Sequence, residues 1–155
     1  MKINKQSAGI LLYRRNKEQL EFFLVHPGGP FWAKKDEGAW SIPKGEFIDE
    51  EPLITAKREF MEETGTALNA KDFVQLTPIK LKSGKMVHAW AAEGDIDASK
   101  IESNFFELEW PPKSGKCINV PEIDKAGWFD IDEAKTKINS NQAALIDELS
   151  GLLNT

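Results

Sequence analysis

The predicted fold is organised around residues 42–66, which read IPKGEFIDEEPLITAKREFMEETGT. The second half of this stretch has the spacing of an amphipathic helix that begins near Pro52 and ends at Gly65. Pro52 suits the first helical position, where its missing N–H costs nothing, and Gly65 can adopt the left-handed conformation that ends a helix. The apolar stripe predicted to face the core consists of Leu53, Ala56, Phe60 and Met61, with Ile54 nearby.

The polar face of this predicted helix is strongly acidic. Glu59, Glu62 and Glu63 stand at positions i, i+3 and i+4, so their Cβ atoms are neighbours about 5–6 Å apart. Three like charges at that separation repel, and without a bound cation at least one of them would take up a proton. Mg²⁺ and Mn²⁺ prefer carboxylate oxygens and water, so such a cation would remove the conflict. Taken alone, however, Glu-x-x-Glu-Glu is more often a solvated helix face.

The rest of the stretch favours the metal-binding interpretation, because it resembles the Nudix box of the Nudix hydrolase family. That pattern is Gly, five residues, Glu, seven residues, Arg-Glu, an apolar residue, any residue, Glu-Glu, any residue, Gly and an apolar residue. Two features depart from it: only four residues separate the glycine from the first glutamate, and Thr66 stands at the last, apolar position. The matching residues are Gly45, Glu50, Arg58, Glu59, Glu62, Glu63 and Gly65.

The resemblance implies a role for each part of the box. It makes Glu59, Glu62 and Glu63 metal ligands and candidates for deprotonating an attacking water, and it adds the backbone carbonyl of Lys44 as a further ligand. The structural residues would be Gly45, Glu50, Arg58 and Gly65, with Glu50 and Arg58 forming a salt bridge that holds the loop against the helix.

The activity implied by the resemblance is hydrolysis of a nucleoside diphosphate linked to another group X, with Mg²⁺ or Mn²⁺ as cofactor. NTPs, dinucleoside polyphosphates and nucleotide sugars all fit this description. Two other hypotheses stay open: a Nudix-fold nucleotide-binding or regulatory module without turnover, and an unrelated cation-binding or structural protein with an acidic helix. The intact Glu59, Glu62 and Glu63 argue against the module, since a degenerate site would be expected there.

A fourth acid is predicted outside the box. Glu122 lies six residues before Trp128, where some family members carry an additional metal ligand or general base. Glu107 and Glu109 are rivals for this role, and a loop surface charge is the alternative for Glu122. We expect residues 105–124 to be a long loop, which would give Glu122 the freedom to close on substrate.

Substrate contacts are predicted at four positions. Lys34, Lys35 and Lys44 could meet phosphates, although the first two are equally typical of solvated lysines. Trp110 could stack on a base.

The composition of the chain limits the classes of molecule that it is expected to bind. A net charge of −5 argues against wholesale binding to nucleic acid or to an anionic membrane. The partner that the resemblance implies is a small-molecule nucleotide or another diphosphate substrate. Cys117 is the only cysteine, which excludes an internal disulfide and fits a reducing compartment such as the cytoplasm. The apolar run near the N-terminus is too short for a membrane span.

The element pattern predicts one domain over residues 1–155 with a mixed β-sheet between helices. This order resembles the Nudix fold, an α/β/α sandwich. Helices are expected at 132–138 and 141–153 in addition to the helix of the box, and strands are expected at 7–14, 20–25, 39–42, 73–81, 85–93 and 127–130.

Overall fold

The structure is a computed structural model that describes residues 5–154. Its helices are α1 (Pro52–Thr64), α2 (Ile131–Lys137) and α3 (Ala143–Leu153). None of these described helices is long and apolar enough to cross a membrane. The strands are β1 (Gln6–Asn16), β2 (Gln19–Pro27), β3 (Lys44–Phe47), β4 (Val74–Gln75), β5 (Ile79–Lys80), β6 (Met86–Glu93), β7 (Phe105–Glu109), β8 (Cys117–Pro121) and β9 (Ile123–Phe129).

A mixed sheet forms the centre of the fold, in the order β4-β6-β1-β2-β9. β1 pairs antiparallel with β2 and parallel with β6. Side chains alternate along β1, so Ile10 and Leu12 pack with Phe60 of α1 on one face. Leu11 packs with Leu145 of α3 on the other face, which also receives α2. This arrangement confirms the predicted α/β/α sandwich.

β1 and β2 diverge over half of their length, and this splay creates the space for a site. They pair only between residues 13–16 and 19–22. Beyond that point the other end of β1, residues 6–9, pairs with β3, and Val25 of β2 pairs with Ser41. Residues 40–47 therefore enter between the two strands. A Cβ on Gly9 would overlap the backbone carbonyl of Pro43, so the close approach of the entering segment requires glycine there.

Two predicted strands are wrong in position. The strand expected at 39–42 is reduced to isolated bridges at Trp40 and Ser41, and regular pairing begins only at Lys44. Pro43 has no N–H for a ladder, and the N–H of Ile42 bonds instead to the side chain of Gln142 (3.0 Å). The single strand expected at 73–81 is split into β4 and β5 around Pro78, which likewise lacks a ladder donor.

The long loop predicted at 105–124 is instead a β-hairpin. β7 and β8 pair antiparallel from Phe105↔Pro121 to Glu109↔Cys117, and β9 begins two residues later. The alternation of apolar and polar residues in Phe105–Glu109 is the period-2 signal of a strand, and the prolines at 111 and 112 fall in its turn. Residues 105–124 therefore do not supply the freedom expected for Glu122.

Helix α1 begins and ends at the predicted residues, but its buried face is rotated relative to the predicted apolar face. Pro52 is the first residue, and Gly65 caps the C-terminus with φ 77°. Phe60 is fully buried, whereas Ile54 and Met61 are 52% and 53% exposed. Ala56 is also fully buried, as predicted, but the other buried positions of the helix are taken by polar residues: Thr55, Glu63 and Thr64. The helix thus turns an acidic residue toward the sheet and leaves two apolar side chains outside.

Replacement of Phe60 by alanine should be far more destabilising than replacement of Met61. Phe60 lies in the core beside Phe23, with ring centroids 6.1 Å apart, so Phe60→Ala leaves a cavity and should lower the free energy of unfolding by about 3–5 kcal/mol. Met61→Ala should change it by about 0.5 kcal/mol or less, as is usual at exposed sites. Urea unfolding of both variants measures the difference, and equal losses would contradict the observed rotation of α1.

Candidate active site

The box glycine, Gly45 of β3, lies in close contact with the side chain of Glu59 of α1. A Cβ on Gly45 would overlap the carboxyl group of Glu59. The side chain of Glu59 is only 16% exposed. Gly45 is therefore needed because the carboxylate of α1 packs directly against the backbone of β3, and not because of an unusual φ.

Glu63 lies deepest and faces a cavity of about 200 Å³ in the splay of the sheet. It is 7% exposed. Burial raises the pKa of Glu63 to about 9, and repulsion by Glu59 and Glu122 adds to this shift. Attraction by the Lys44 ammonium and a hydrogen bond from the Lys44 backbone act in the opposite direction and do not cancel it. The cavity is lined by Val25, Pro27, Ser41, Ile42, Lys44, Glu63, Glu122 and Ile123.

The neighbouring ionisable groups show the same conflict between burial and charge. Burial raises the pKa of Glu59, and Glu62 raises it further, while Arg58 opposes the shift. Burial also lowers the pKa of Lys44, and the second cause is repulsion by Lys85. The cavity therefore disfavours both an isolated negative charge and an isolated positive charge.

Arg58 connects the loop before α1 with two glutamates of the helix. Its Nη2 donates to Glu50 (2.7 Å), and its Nη1 donates to Glu59 (3.2 Å) and Glu62 (3.3 Å). Glu50 also accepts from the hydroxyl of Thr55, and these two hydrogen bonds, that from Arg58 first, lower its pKa. The loop that is one residue short thus still brings Glu50 to Arg58. The contacts of Arg58 with Glu59 and Glu62 go beyond the pair that the sequence predicts.

Glu122 lies between β8 and β9, and its backbone is held on both sides. Its N–H donates to the carbonyl of Asn104 (2.8 Å), and its carbonyl accepts from the N–H of Gly28 (2.9 Å). Desolvation raises the pKa of Glu122, and Glu62 of α1 raises it further. The fourth acid is thus brought to the carboxylates of α1 from another element. Its partners, Asn104 and Gly28, carry no sequence signal that we recognised.

The two rival acids lie on the hairpin of β7 and β8 and do not line the cavity. Glu107 and Glu109 belong to β7, paired with Asn119 and Cys117 of β8. A carboxylate oxygen of Glu109 accepts from the N–H of Lys113 in the turn of the hairpin (2.9 Å). Glu122, which lines the cavity beside Glu63, is better placed than either of them.

The other predicted substrate contacts lie outside the carboxylate cluster. The Lys35 ammonium lies over the ring of Phe31, 3.7 Å from its centroid, and the carbonyl of Lys35 accepts from His26 (2.7 Å). Lys34 is exposed in the same loop. Trp110 is in the turn of the hairpin, where its backbone N–H donates to the carbonyl of Lys116 (2.9 Å). Within residues 5–154, no hydrogen bond or ion pair joins Lys34, Lys35 or Trp110 to the glutamates of the cavity.

The donor set fits a hard divalent cation in chemistry, although it is not already arranged around one. The four carboxylates of Glu59, Glu62, Glu63 and Glu122 and the Lys44 carbonyl are oxygen donors of the kind that Mg²⁺ and Mn²⁺ accept. Yet in the described part of the chain no three His, Cys, Asp or Glu side chains are grouped closely enough to hold a metal ion. Arg58 accounts for part of this, because it draws Glu59 and Glu62 to its own guanidinium. Cation binding would have to compete with that ion pair.

Comparison with solved structures supports the fold. The Ap4A hydrolase of C. elegans, in a binary complex, superposes with a TM-score of 0.69 at 18% identity, covering 96% of this chain and 98% of that one. The NUDIX domain of Shewanella oneidensis NrtR in complex with ADP ribose gives 0.66 at 19% identity, covering 99% and 90%. NrtR from the same organism in complex with a 27mer DNA gives 0.59 at 18% identity, covering 96% of this chain but 61% of that one.

At these identities the likeness concerns the fold alone. No curated protein matches significantly. The family assignment comes from a model of the NUDIX domain, which matches residues 4–149 of the 155. This match excludes the hypothesis of an unrelated protein with an acidic helix. With nearly its whole length accounted for by that family model, the chain belongs to the Nudix family.

Proposed function

We propose that this protein hydrolyses a diphosphate bond in a nucleoside diphosphate linked to another group, with Mg²⁺ as cofactor and Mn²⁺ as a substitute. The observation that carries the proposal is that Glu63 of α1 and Glu122, just before β9, line one cavity, with Glu59 and Glu62 near enough to repel them. Four carboxylates this close are unfavourable without a cation, and burial of Glu63 increases the conflict.

The chain's own residues would contribute positioning and charge. Clustered carboxylates attract a divalent cation, which when bound neutralises phosphate oxygens and lowers the pKa of a water molecule. The Glu59, Glu62 and Glu63 carboxylates and the Lys44 carbonyl would hold it from the side of α1 and β3. Glu122, from the other side of the cavity, is the proposed additional ligand or general base. The Lys44 ammonium is the proposed contact for a phosphate oxygen.

Parts of the substrate beyond the diphosphate would lie outside the cavity. At about 200 Å³ the cavity is smaller than the sites that typically enclose a drug-sized ligand, about 300–1,000 Å³. Lys34, Lys35 and Trp110 are exposed or partly exposed, and we keep them as proposed contacts for an extended substrate. NTPs, dinucleoside polyphosphates and nucleotide sugars all remain within the proposal.

A nucleotide-binding module without turnover is the second candidate function. It is favoured by the pairing of Arg58 with Glu59 and Glu62, which leaves no described group of three acids ready to hold a metal ion. DNA is not part of either proposal, because the net charge is −5 and the DNA complex of NrtR contains a chain that this one covers only to 61%. We propose a cytoplasmic location, with which the exposed free thiol of Cys117 is compatible.

The proposed activity is tested by phosphate release from a panel of NTPs, dinucleoside polyphosphates and nucleotide sugars, with Mg²⁺ and with EDTA. We expect turnover of at least one class with Mg²⁺ or Mn²⁺ and none with EDTA, because the carboxylates cannot activate water without a cation. Turnover that survives exhaustive chelation would refute the metal-dependent mechanism. Binding of the same nucleotides without any turnover would favour the module.

Glu63→Gln should change the pH dependence of stability in the metal-free protein. The pKa of Glu63 is about 9 in the folded state and near 4.5 when unfolded, so its protonated form is favoured by folding. The wild type should therefore lose stability as the pH rises from about 4.5 to about 9, and Glu63→Gln should not show this loss. We expect the Tm advantage of Glu63→Gln in EDTA to grow across that range. Its kcat should fall by orders of magnitude.

The matched control for Glu63→Gln is Glu107→Gln, the same substitution at an exposed position of the hairpin. Its Tm should follow that of the wild type at every pH. Thermal unfolding of the three proteins in EDTA, from pH 5 to pH 9, makes the comparison. Parallel Tm curves for wild type and Glu63→Gln would show that the buried carboxylate does not carry the proposed conflict.

A further inference from the structure

We infer that Ser103 is a positioning residue for Glu122: its hydroxyl holds the start of β9 so that the Glu122 carboxylate faces the glutamates of α1. This inference rests on the proposed function, in which Glu122 is a ligand or base. Ser103 does not itself line the cavity, although it bonds to Ile123, which does, and within residues 5–154 no hydrogen bond joins it to the carboxylates of α1. Its role would be exerted entirely through the backbone of residues 104 and 123.

The segment of residues 102–104, here called the clamp, is attached to the C-terminal end of α1. The N–H of Asn104 donates to the carbonyl of Glu62, and the N–H of Glu102 donates to the carbonyl of Thr64, each over 2.8 Å. The last carbonyls of a helix have no partner within it, so the clamp satisfies two of them. A Cβ on Gly65 would come within 2.8 Å of the Glu102 carbonyl, which shows how closely the clamp approaches α1. The clamp is therefore bonded directly to the helix that carries Glu62 and Glu63.

The other side of the clamp holds the backbone around Glu122. The carbonyl of Asn104 accepts from the N–H of Glu122 (2.8 Å). The N–H of Ile123 donates to the hydroxyl oxygen of Ser103 (3.0 Å). Asn104 thus links the backbones of Glu62 and Glu122 directly, because its N–H bonds to one and its carbonyl to the other. Ser103 adds the second attachment point, one residue further along β9.

The Ser103 hydroxyl is the only side-chain group in these attachments, so it is the one that a substitution can remove. A hydroxyl has one donor and two acceptor sites. Here it donates to the carbonyl of Asn104 (2.9 Å) while it accepts from Ile123. The side chain of Ile123 is buried, so loss of the hydroxyl would leave the N–H of Ile123 unpaired in a buried region. Because an unpaired buried N–H is costly, the start of β9 would be expected to shift. Glu122 is the residue immediately before that point.

A small displacement of Glu122 would matter for catalysis more than for folding. Glu122 and Glu62 are close enough to raise the pKa of Glu122, so the two acids share one electrostatic environment. Misplacement of a catalytic group by about 1 Å can lower the rate about 10²-fold. The backbone bonds from Asn104 and Gly28 remain in a Ser103 variant, so global unfolding is not expected.

Ser103→Ala, with Ser103→Thr as its rescue, tests this role. The threonine retains a hydroxyl, and the alanine does not. We expect Ser103→Ala to lower kcat about 10-fold to 10²-fold with little change in KM, and Ser103→Thr to recover most of the loss. The control is Ser99→Ala, the same substitution four residues earlier, where the hydroxyl donates only to exposed Asp97 (2.6 Å). Ser99→Ala should retain wild-type kcat.

Combination with Glu122→Gln separates positioning from general loss of stability. Glu122→Gln alone should lower kcat by about 10²–10⁴, the range for loss of a general base. If Ser103 acts through Glu122, Ser103→Ala should cause no further loss of kcat in the Glu122→Gln background. Multiplication of the two losses would overturn the inference. The inference would also be overturned if the wild type is active and either Glu122→Gln or Ser103→Ala leaves kcat unchanged.

Two readouts do not depend on turnover. Electron paramagnetic resonance titration with Mn²⁺ should show affinity about 10-fold weaker in Ser103→Ala than in wild type and Ser99→Ala, as for loss of a group that orients a ligand. Hydrogen exchange should be faster at the amide of Ile123 in Ser103→Ala. A wild type that binds Mn²⁺ but turns over no nucleotide would refute the proposed function alone, and the Mn²⁺ affinities would then decide the inference. Unchanged Mn²⁺ affinity and exchange would refute the inference.

Discussion

The rest of the structure depends on one unfavourable interaction, the burial of Glu63 among other carboxylates. An ionised carboxylate in a low-dielectric space is costly unless an opposite charge accompanies it. Lys44 lies in the same cavity, but its pKa is lowered by burial, so it is a poor counter-charge. Arg58 is paired with Glu50, Glu59 and Glu62, not with Glu63. A cation brought to Glu63 would therefore favour its ionised form at neutral pH.

The fold keeps this arrangement in place through close backbone approaches. Residues 40–47 enter the splay between β1 and β2 and present Lys44 and Gly45 to the acidic face of α1. Absence of a side chain at Gly9 admits the entering segment, and absence of one at Gly45 admits the carboxylate of Glu59. The clamp of residues 102–104 then links the end of α1 to Glu122. The four carboxylates are thus carried by two backbone segments, α1 and the residue before β9, and the clamp is bonded to both.

Much of α1 could be predicted from residues 42–66, because its signals are local: Pro52 at the start, Gly65 at the end and glutamates at helical spacing. The rotation of α1 could not, since Met61 and Glu63 differ by only two positions and the choice between them depends on the splayed sheet beneath. The hairpin of β7 and β8 is hard to predict because the prolines at 111 and 112 are typical of a loop and the apolar–polar alternation covers only residues 106–109. The attachment of Glu122 to the clamp could not be predicted, because the N–H of Glu122 and the carbonyl of Asn104 are backbone groups that every residue type shares.

The proposed site requires the acidic residues of α1 and Glu122 to hold a divalent cation together in the splay. Crystals grown with Mn²⁺ and measured near its absorption edge test this requirement, because anomalous scattering locates the metal independently of catalysis. We expect a Mn²⁺ peak at the cavity lined by Lys44, Glu63 and Glu122, with Glu59 or Glu62 released from Arg58. A protein saturated with Mn²⁺ that shows no peak there, or shows one only elsewhere, would contradict it.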